Sequence, residues 1–165
     1  MSQRLIVALD VSDRPSALRL VEQLNDLGVS FKIGSQLFTA EGPDLVREIV
    51  SSGSPVFLDL KFHDIPNTVA GAVTSAAGLG VTIINIHGLG GSEMMQAASR
   101  AVNEVLGPQT IPGGTHKARP AVIAVTVLTS MSFEGLSEVG VGEGVESEVI
   151  RLARLARTSG LDGVV

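Results

Sequence analysis

The sequence predicts an α/β fold, a parallel sheet covered by helices, in a single domain spanning residues 1–165. Three observations carry this. Short apolar runs alternate with longer amphipathic ones along the chain. The apolar runs are near-continuous, as expected of strands buried on both faces. Several end in charge, at the edge where parallel α/β folds place their sites.

The first strand is Leu5-Ile6-Val7-Ala8-Leu9, ending at Asp10. Ser12 or Asp13 can cap the following helix, with Ala17, Leu18, Val21 and Leu24 at helical spacing. Residues 29–33 form a second strand. Residues 43–50 are the core of a second helix, with Pro43 in its first turn and Gly53 after its end. Residues 55–60 form a third strand, and a helix begins at Ile65 or Pro66 and runs to Ala77. Residues 81–86 are a fourth strand ending at His87, followed by a helix over 92–105. Residues 106–120, rich in Gly and Pro and including Gly113-Gly114, read as a surface loop. Then come a fifth strand over 121–127, a helix over 145–159 and the start of a sixth strand at Gly163-Val164-Val165.

Apolar residues make up 44% and charged residues 18%, a globular composition. The net charge of -5 gives no electrostatic reason to expect nucleic acid or acidic lipid as a partner. The absence of cysteine excludes disulfides and thiolate metal sites. Residues 1–4 lead straight into a strand without the shape of a signal peptide, and no apolar stretch approaches the ~20 residues that span a bilayer. A cytoplasmic location is the expectation, with no membrane partner. With no Trp or Tyr and five Phe, a planar ligand would be held mainly by polar and aliphatic contacts.

Two architectures fit the alternation: an open doubly wound sheet and a (β/α)8 barrel. A complete barrel needs about 250 residues. From periodicity alone the length tilts the choice slightly towards the open sheet.

The most informative segment is Asp59-Leu60-Lys61-Phe62-His63-Asp64-Ile65-Pro66-Asn67-Thr68. On a strand Asp59 and Lys61 share a face. Asp64 lies in the turn beyond, Asp10 follows the first strand and Lys32 lies in the second. A single charge at a strand end is ordinarily a solvated loop residue. Asp59 and Lys61, however, follow an apolar run, and burying them is costly unless they are paired. An array of Lys32, Asp59, Lys61 and Asp64 would pair them. Carboxylates on both sides of Lys61 favour its ammonium form, so it reads as a cationic stabiliser or general acid and not as an amine nucleophile. Asp10, Asp59, Asp64 and His87 could supply metal ligands, but Lys32 would compete with a cation there. No metal is expected.

This segment, with its Asp-x-Lys-x-x-Asp core followed by Ile-Pro-x-Thr, resembles the signature of the orotidine 5'-phosphate decarboxylase family. Ala8-Leu9-Asp10, Phe31-Lys32-Ile33-Gly34, Asn85-Ile86-His87 with Gly90-Gly91, Met94-Met95-Gln96-Ala97-Ala98 and the run Ala124-Val125-Thr126-Val127-Leu128-Thr129-Ser130 agree in the same order. The resemblance covers the whole chain. It implies a TIM barrel, here an incomplete one of about five βα units plus the start of strand six, and so reverses the preference for an open sheet.

The resemblance further implies decarboxylation of orotidine 5'-monophosphate to uridine 5'-monophosphate, without a cofactor. By the same resemblance Lys61 donates the proton to C6, Asp59 sits beside the substrate carboxylate, and Lys32 bridges the ribose hydroxyls and the array. Asp10 binds the ribose and Thr68 contacts the nucleotide. Thr129 seats the substrate, Ser132 faces the pyrimidine and His87 lines the pocket. Asp64 and Ile65 reach into the partner's site across a homodimer. His63 reads as structural.

The family normally continues with further strands, which carry a closing loop and a Gly-Arg pair for the phosphate. Here the sequence stops at Leu161-Asp162-Gly163-Val164-Val165. This predicts a partial record of a longer protein; a natural stop codon directly after Val165 would count against it. Two alternatives stay open. One is a magnesium-dependent sugar-phosphate decarboxylase or synthase sharing Asp-x-Lys-x-x-Asp, though such relatives tend to carry an acid where Lys32 stands. The other is a non-catalytic nucleotide-binding module.

Overall fold

The computed structural model describes residues 5–105, 119–142 and 144–165. The segment before Leu5 and nearly all of the Gly/Pro-rich stretch at 106–120 lie outside the described residues. Six strands, β1 (Ile6–Ala8), β2 (Ser30–Gly34), β3 (Val56–Phe62), β4 (Ile83–His87), β5 (Ala121–Val125) and β6 (Gly163–Val164), form one sheet. All neighbours are parallel. Their spatial order, β1-β2-β3-β4-β5-β6, is their order in sequence.

That order decides the architecture. A doubly wound sheet reverses direction at a switch point. Here the sheet only advances, and right-handed crossovers then place every connecting helix on one face. Helices α1 (Arg14–Leu24), α2 (Ser35–Ser51), α3 (Pro66–Gly78), α4 (Gly91–Val105) and α6 (Val145–Thr158) alternate with the strands; the short α5 (Phe133–Glu138) follows β5. The fold is a partial (β/α) barrel, as the resemblance implied, and not the open sheet that length alone favoured. Apolar periodicity reports which residues are strands but carries nothing about their order.

One core fills the space between helices and sheet. Phe31, Ile33, Leu58, Ile84, Ile86, Val122 and Ala124 supply the strand side. Leu37, Leu45, Ile49, Val73, Met94 and Met95 supply the helix side. Burying each large side chain contributes roughly 1.5–3 kcal/mol. Along β3, Leu58, Leu60 and Phe62 face this core. Asp59 and Lys61, at the alternate positions, are left for the opposite face.

The helix ends explain several boundaries. Asp13 caps α1, its Oδ1 accepting the Ser16 N–H at 2.9 Å, and Pro15 stands in the first turn. Ser12 is not the cap. Helix α2 starts eight residues before Pro43. Its N-cap is Gly34, which offers no side-chain acceptor, and the chain kinks at Gly42 (φ 71°) immediately before Pro43. The sequence therefore reveals the second half of α2 but not the first. Helix α5, only six residues long, is capped by Ser132, whose Oγ accepts the Gly135 N–H at 3.2 Å. At the end of β4 the chain passes close to β5: a Cβ on Gly88 would lie 2.9 Å from the Val125 carbonyl oxygen. Only glycine fits there without movement of one strand. Among the described residues no helix is long and apolar enough to cross a membrane.

Candidate active site at the strand ends

The parallel register brings the carboxyl ends of β1, β2 and β3 side by side. Ala8 is level with Lys32, and Gly34 with Asp59. Asp10, just past β1, and Lys32, on β2, thus come within reach of Asp59 on β3. Lys32 Nζ lies 3.3 Å from Asp10 Oδ1 and 3.3 Å from Asp59 Oδ2. Asp59 Oδ1 lies 2.6 Å from Lys61 Nζ. The result is a linear chain of alternating charge, Asp10–Lys32–Asp59–Lys61, in which each Asp59 oxygen takes one ammonium.

Asp59 is the buried member: its side chain is 11% exposed, against 75% for Asp10. Such burial disfavours the charged form of a carboxyl group. Burial does push the Asp59 carboxyl up. The hydrogen bonds from Lys61 and Asn85, the Lys61 charge and the Lys32 hydrogen bond outweigh it, and the group is held below the ordinary carboxylate range. Asp59 is therefore ionised at neutral pH, and its charge holds both lysine ammonium groups in place.

The backbone at this point is unusual. Lys61 has φ 50°, the left-handed region, where a non-glycine residue costs on the order of 1 kcal/mol. The pairing of β3 with β4 also breaks here: Leu58 is level with Ile84, but Phe62 with Ile86. Four residues of β3 advance against two of β4, so Lys61 has no regular ladder partner. The Asn85 side chain takes that place. Its Oδ1 accepts the Lys61 N–H at 2.8 Å, and its Nδ2 donates to Asp59 Oδ1 at 2.6 Å. Asn85 is fully buried. The sequence reading missed this residue as part of the site. The available signal was a lone amide inside Ile83-Ile84-Asn85-Ile86, since a buried polar group needs a partner.

The remaining singled-out residues lie around this chain without joining it. Asp64 is exposed, and its Oδ1 accepts the Ile65 N–H at 2.6 Å. Of the expected array, Lys32, Asp59 and Lys61 come together within this chain; Asp10 extends it at the Lys32 end, and Asp64 is not brought to the Lys61 end. Ile65 precedes the first turn of α3 and is 66% exposed, a large apolar side chain left in solvent. Thr68 is exposed in the first turn of α3, and Thr129 is exposed beyond β5. Ser132 caps α5. An open hollow is lined by His63, Asp64, Ile65, Pro66, Leu89 and Gly90.

His87 ends β4, and its ring stacks on that of His63, with centroids 5.1 Å apart and planes inclined by 21°. Burial, then the His63 and Lys61 charges, push the His87 pKa down, so the imidazole is neutral at neutral pH. Its Nδ1 is buried and has no hydrogen-bond partner among the described residues. The two rings pack beside the array, which gives His63 a stacking role the sequence did not specify. Among the described residues no three His, Asp or Glu groups are gathered to hold a metal ion. An ammonium, that of Lys32, lies between Asp10 and Asp59.

This constellation can be set beside known proteins. The sequence profile of the orotidine 5'-phosphate decarboxylase / HUMPS family matches residues 3–165. The chain belongs to this family. An orotidine 5'-phosphate decarboxylase from Idiomarina loihiensis is 51% identical over 162 residues. That alignment takes in 98% of this chain and 65% of the relative, so the chain spans about two thirds of the length of the curated relatives it matches. The crystal structure of orotidine 5'-phosphate decarboxylase from Lactobacillus acidophilus superposes with a TM-score of 0.88 at 36% identity, covering 99% of this chain and 70% of that one. The crystal structure of orotidine 5'-monophosphate decarboxylase from Methanocaldococcus jannaschii, complexed with inhibitor BMP, gives 0.75 at 25% identity over 98% of this chain and 66% of that one. The similarity to these solved structures agrees with the barrel order of the sheet.

Proposed function

We propose that the protein to which this chain belongs decarboxylates orotidine 5'-monophosphate to uridine 5'-monophosphate in de novo pyrimidine synthesis, without a cofactor. One observation carries the reading: an ammonium, Lys61 Nζ, held 2.6 Å from a buried, ionised Asp59. In the reaction the bond between C6 and the carboxyl group breaks, carbon dioxide leaves, and the electron pair stays on C6. That carbanion has no conjugated sink, so a fixed positive charge beside it is the available stabilisation. The Lys61 ammonium then gives its proton to C6 and is reprotonated from solvent. Asp59 holds the Lys61 ammonium in place and stands beside the substrate carboxylate.

Lys32 and Asp10 bind the ribose side in this scheme. Thr68, Thr129 and Ser132 contact the nucleotide, and His87 lines the pocket. Asp64 and Ile65 serve the partner's site in a homodimer, a role supported by their exposure. The setting is cytoplasmic. Lys32, ion-paired with two acids, speaks against the magnesium-dependent sugar-phosphate alternative, since its charge competes with a metal ion for the same carboxylates.

The test is an assay of the full gene product on orotidine 5'-monophosphate, and separately on pentulose and hexulose phosphates, with and without a chelator. The expected result is turnover of the nucleotide that the chelator leaves unchanged. Chelator-sensitive turnover of a sugar phosphate alone would replace the reading with the metal-dependent one. Binding of uridine 5'-monophosphate with no turnover of any substrate would leave a nucleotide-binding module.

A further inference from the structure

Asn85 does more than fill the core of β4. It lies between Ile84 and Ile86, both fully buried, in a setting that otherwise takes aliphatic side chains. A primary amide there is stable only with both ends bonded. Its two bonds go to the two residues on which the proposed reaction depends: the Lys61 backbone N–H and the Asp59 carboxylate. The first holds the left-handed turn of Lys61 where the β3–β4 ladder has lapsed. The second shares Asp59 Oδ1 with the Lys61 ammonium. One rigid group therefore fixes the base of the lysine side chain and the acid at its tip. An apolar residue of the same shape would leave the N–H without its acceptor and the carboxylate short of a donor.

We propose that Asn85 is a positioning residue for the decarboxylation: its carboxamide locks the Lys61 backbone and the Asp59 carboxylate in register, so that the ammonium is aimed at the reacting carbon. The inference rests on the function proposed above. Asn85 itself touches no reacting atom. Its loss should therefore slow the chemical step and leave substrate binding, supplied by other residues, nearly unchanged.

The experiment compares the full gene product with its Asn85→Leu and Asn85→Asp variants on orotidine 5'-monophosphate, reading kcat and KM separately from pH 6 to pH 8. Asn85→Leu should lower kcat at least ~30-fold with KM within about threefold of wild type. Asn85→Asp keeps an acceptor for the Lys61 N–H but sets a second carboxylate against Asp59. Its kcat relative to wild type should rise at least about fivefold between pH 8 and pH 6, as the introduced carboxyl takes up a proton and regains a donor. A purely structural role would give the same relative loss at both pH values. A folded Asn85→Leu variant with kcat within about threefold of wild type overturns the proposal, and so does a flat pH ratio for Asn85→Asp. If Asn85→Leu does not fold, the Asn85→Asp ratio decides. If the wild-type protein does not decarboxylate the nucleotide, it is the proposed function that fails. The locking role is then judged without substrate, by hydrogen exchange at the Lys61 amide in Asn85→Leu or Asn85→Ala, whichever folds. Exchange at least about tenfold faster upholds it, and unchanged exchange overturns it.

Discussion

At the carboxyl ends of β1, β2 and β3, Asp10, Lys32, Asp59 and Lys61 are bonded to one another, and Asn85 pins the last two from β4. Beyond β3 and β5 the picture differs. Asp64, Ile65, Thr68, Thr129 and Ser132 are exposed; Asp64 accepts the Ile65 N–H, and Ser132 is bonded to the Gly135 N–H and the Glu134 side chain, all close by in sequence. The first group is organised by the chain alone. Its charges are neutralised in place, and its geometry is set before any ligand arrives, the arrangement that gives electrostatic catalysis its strength. The second group presents polar side chains and the apolar surface of Ile65 to solvent. Its partners, in the reading above, are the nucleotide and a second subunit.

The contrast makes two kinds of variant diverge. Asp64→Ala in the full gene product should lower kcat/KM about 100-fold, roughly 2.7 kcal/mol of barrier. It should cost less stability than Asp59→Asn, since within its own chain the Asp64 side chain is exposed and takes only the adjacent Ile65 N–H among the described residues. Measured together, steady-state rates and urea unfolding check both halves; a large loss of stability would erase the distinction between the two groups. Asp59→Asn should do the reverse at the level of stability and lower it by about 1–2 kcal/mol at pH 7, because two ammonium groups lose their common acid. This range allows for the partial solvent screening of Lys61. Its pH dependence has a definite sign. A carboxyl group depressed in the folded state stabilises above its unfolded pKa of about 3.9, and that contribution fades as the pH falls through the folded value. The difference between wild type and Asp59→Asn should therefore be full above about pH 5 and shrink steadily below pH 4 in acid unfolding curves. A difference that grows with acid would mean that Asp59 is not the ionised hub of the array.

How much of this was legible in the sequence follows from the same physics. Strands declared themselves through apolar runs, and the charges at their ends declared the site edge. Asp59 and Lys61 could be placed on one face because Leu58, Leu60 and Phe62 needed the other. What the sequence could not show depends on three-dimensional accounting. The left-handed Lys61 has no residue-type signature, since lysine is not a residue that favours positive φ. The part played by Asn85 depends on a lapse in the β3–β4 ladder, which no local pattern encodes. The first half of α2 was hidden because its N-cap, Gly34, offers no side-chain acceptor, while Gly42-Pro43 mimics a helix start. Helix α5 was too short to display a period. The position of Asp64 outside its own chain's array is a matter of loop direction, which spacing alone leaves open.

In the proposed reaction Asp59 holds the Lys61 ammonium beside the reacting carbon. The most direct measurement is the rate of orotidine 5'-monophosphate decarboxylation by the full gene product carrying Lys61→Ala, at saturating substrate and with the fold verified. The expected result is a loss of at least ~1000-fold, on the order of 4 kcal/mol of barrier. A folded variant turning over near the wild-type rate would contradict it.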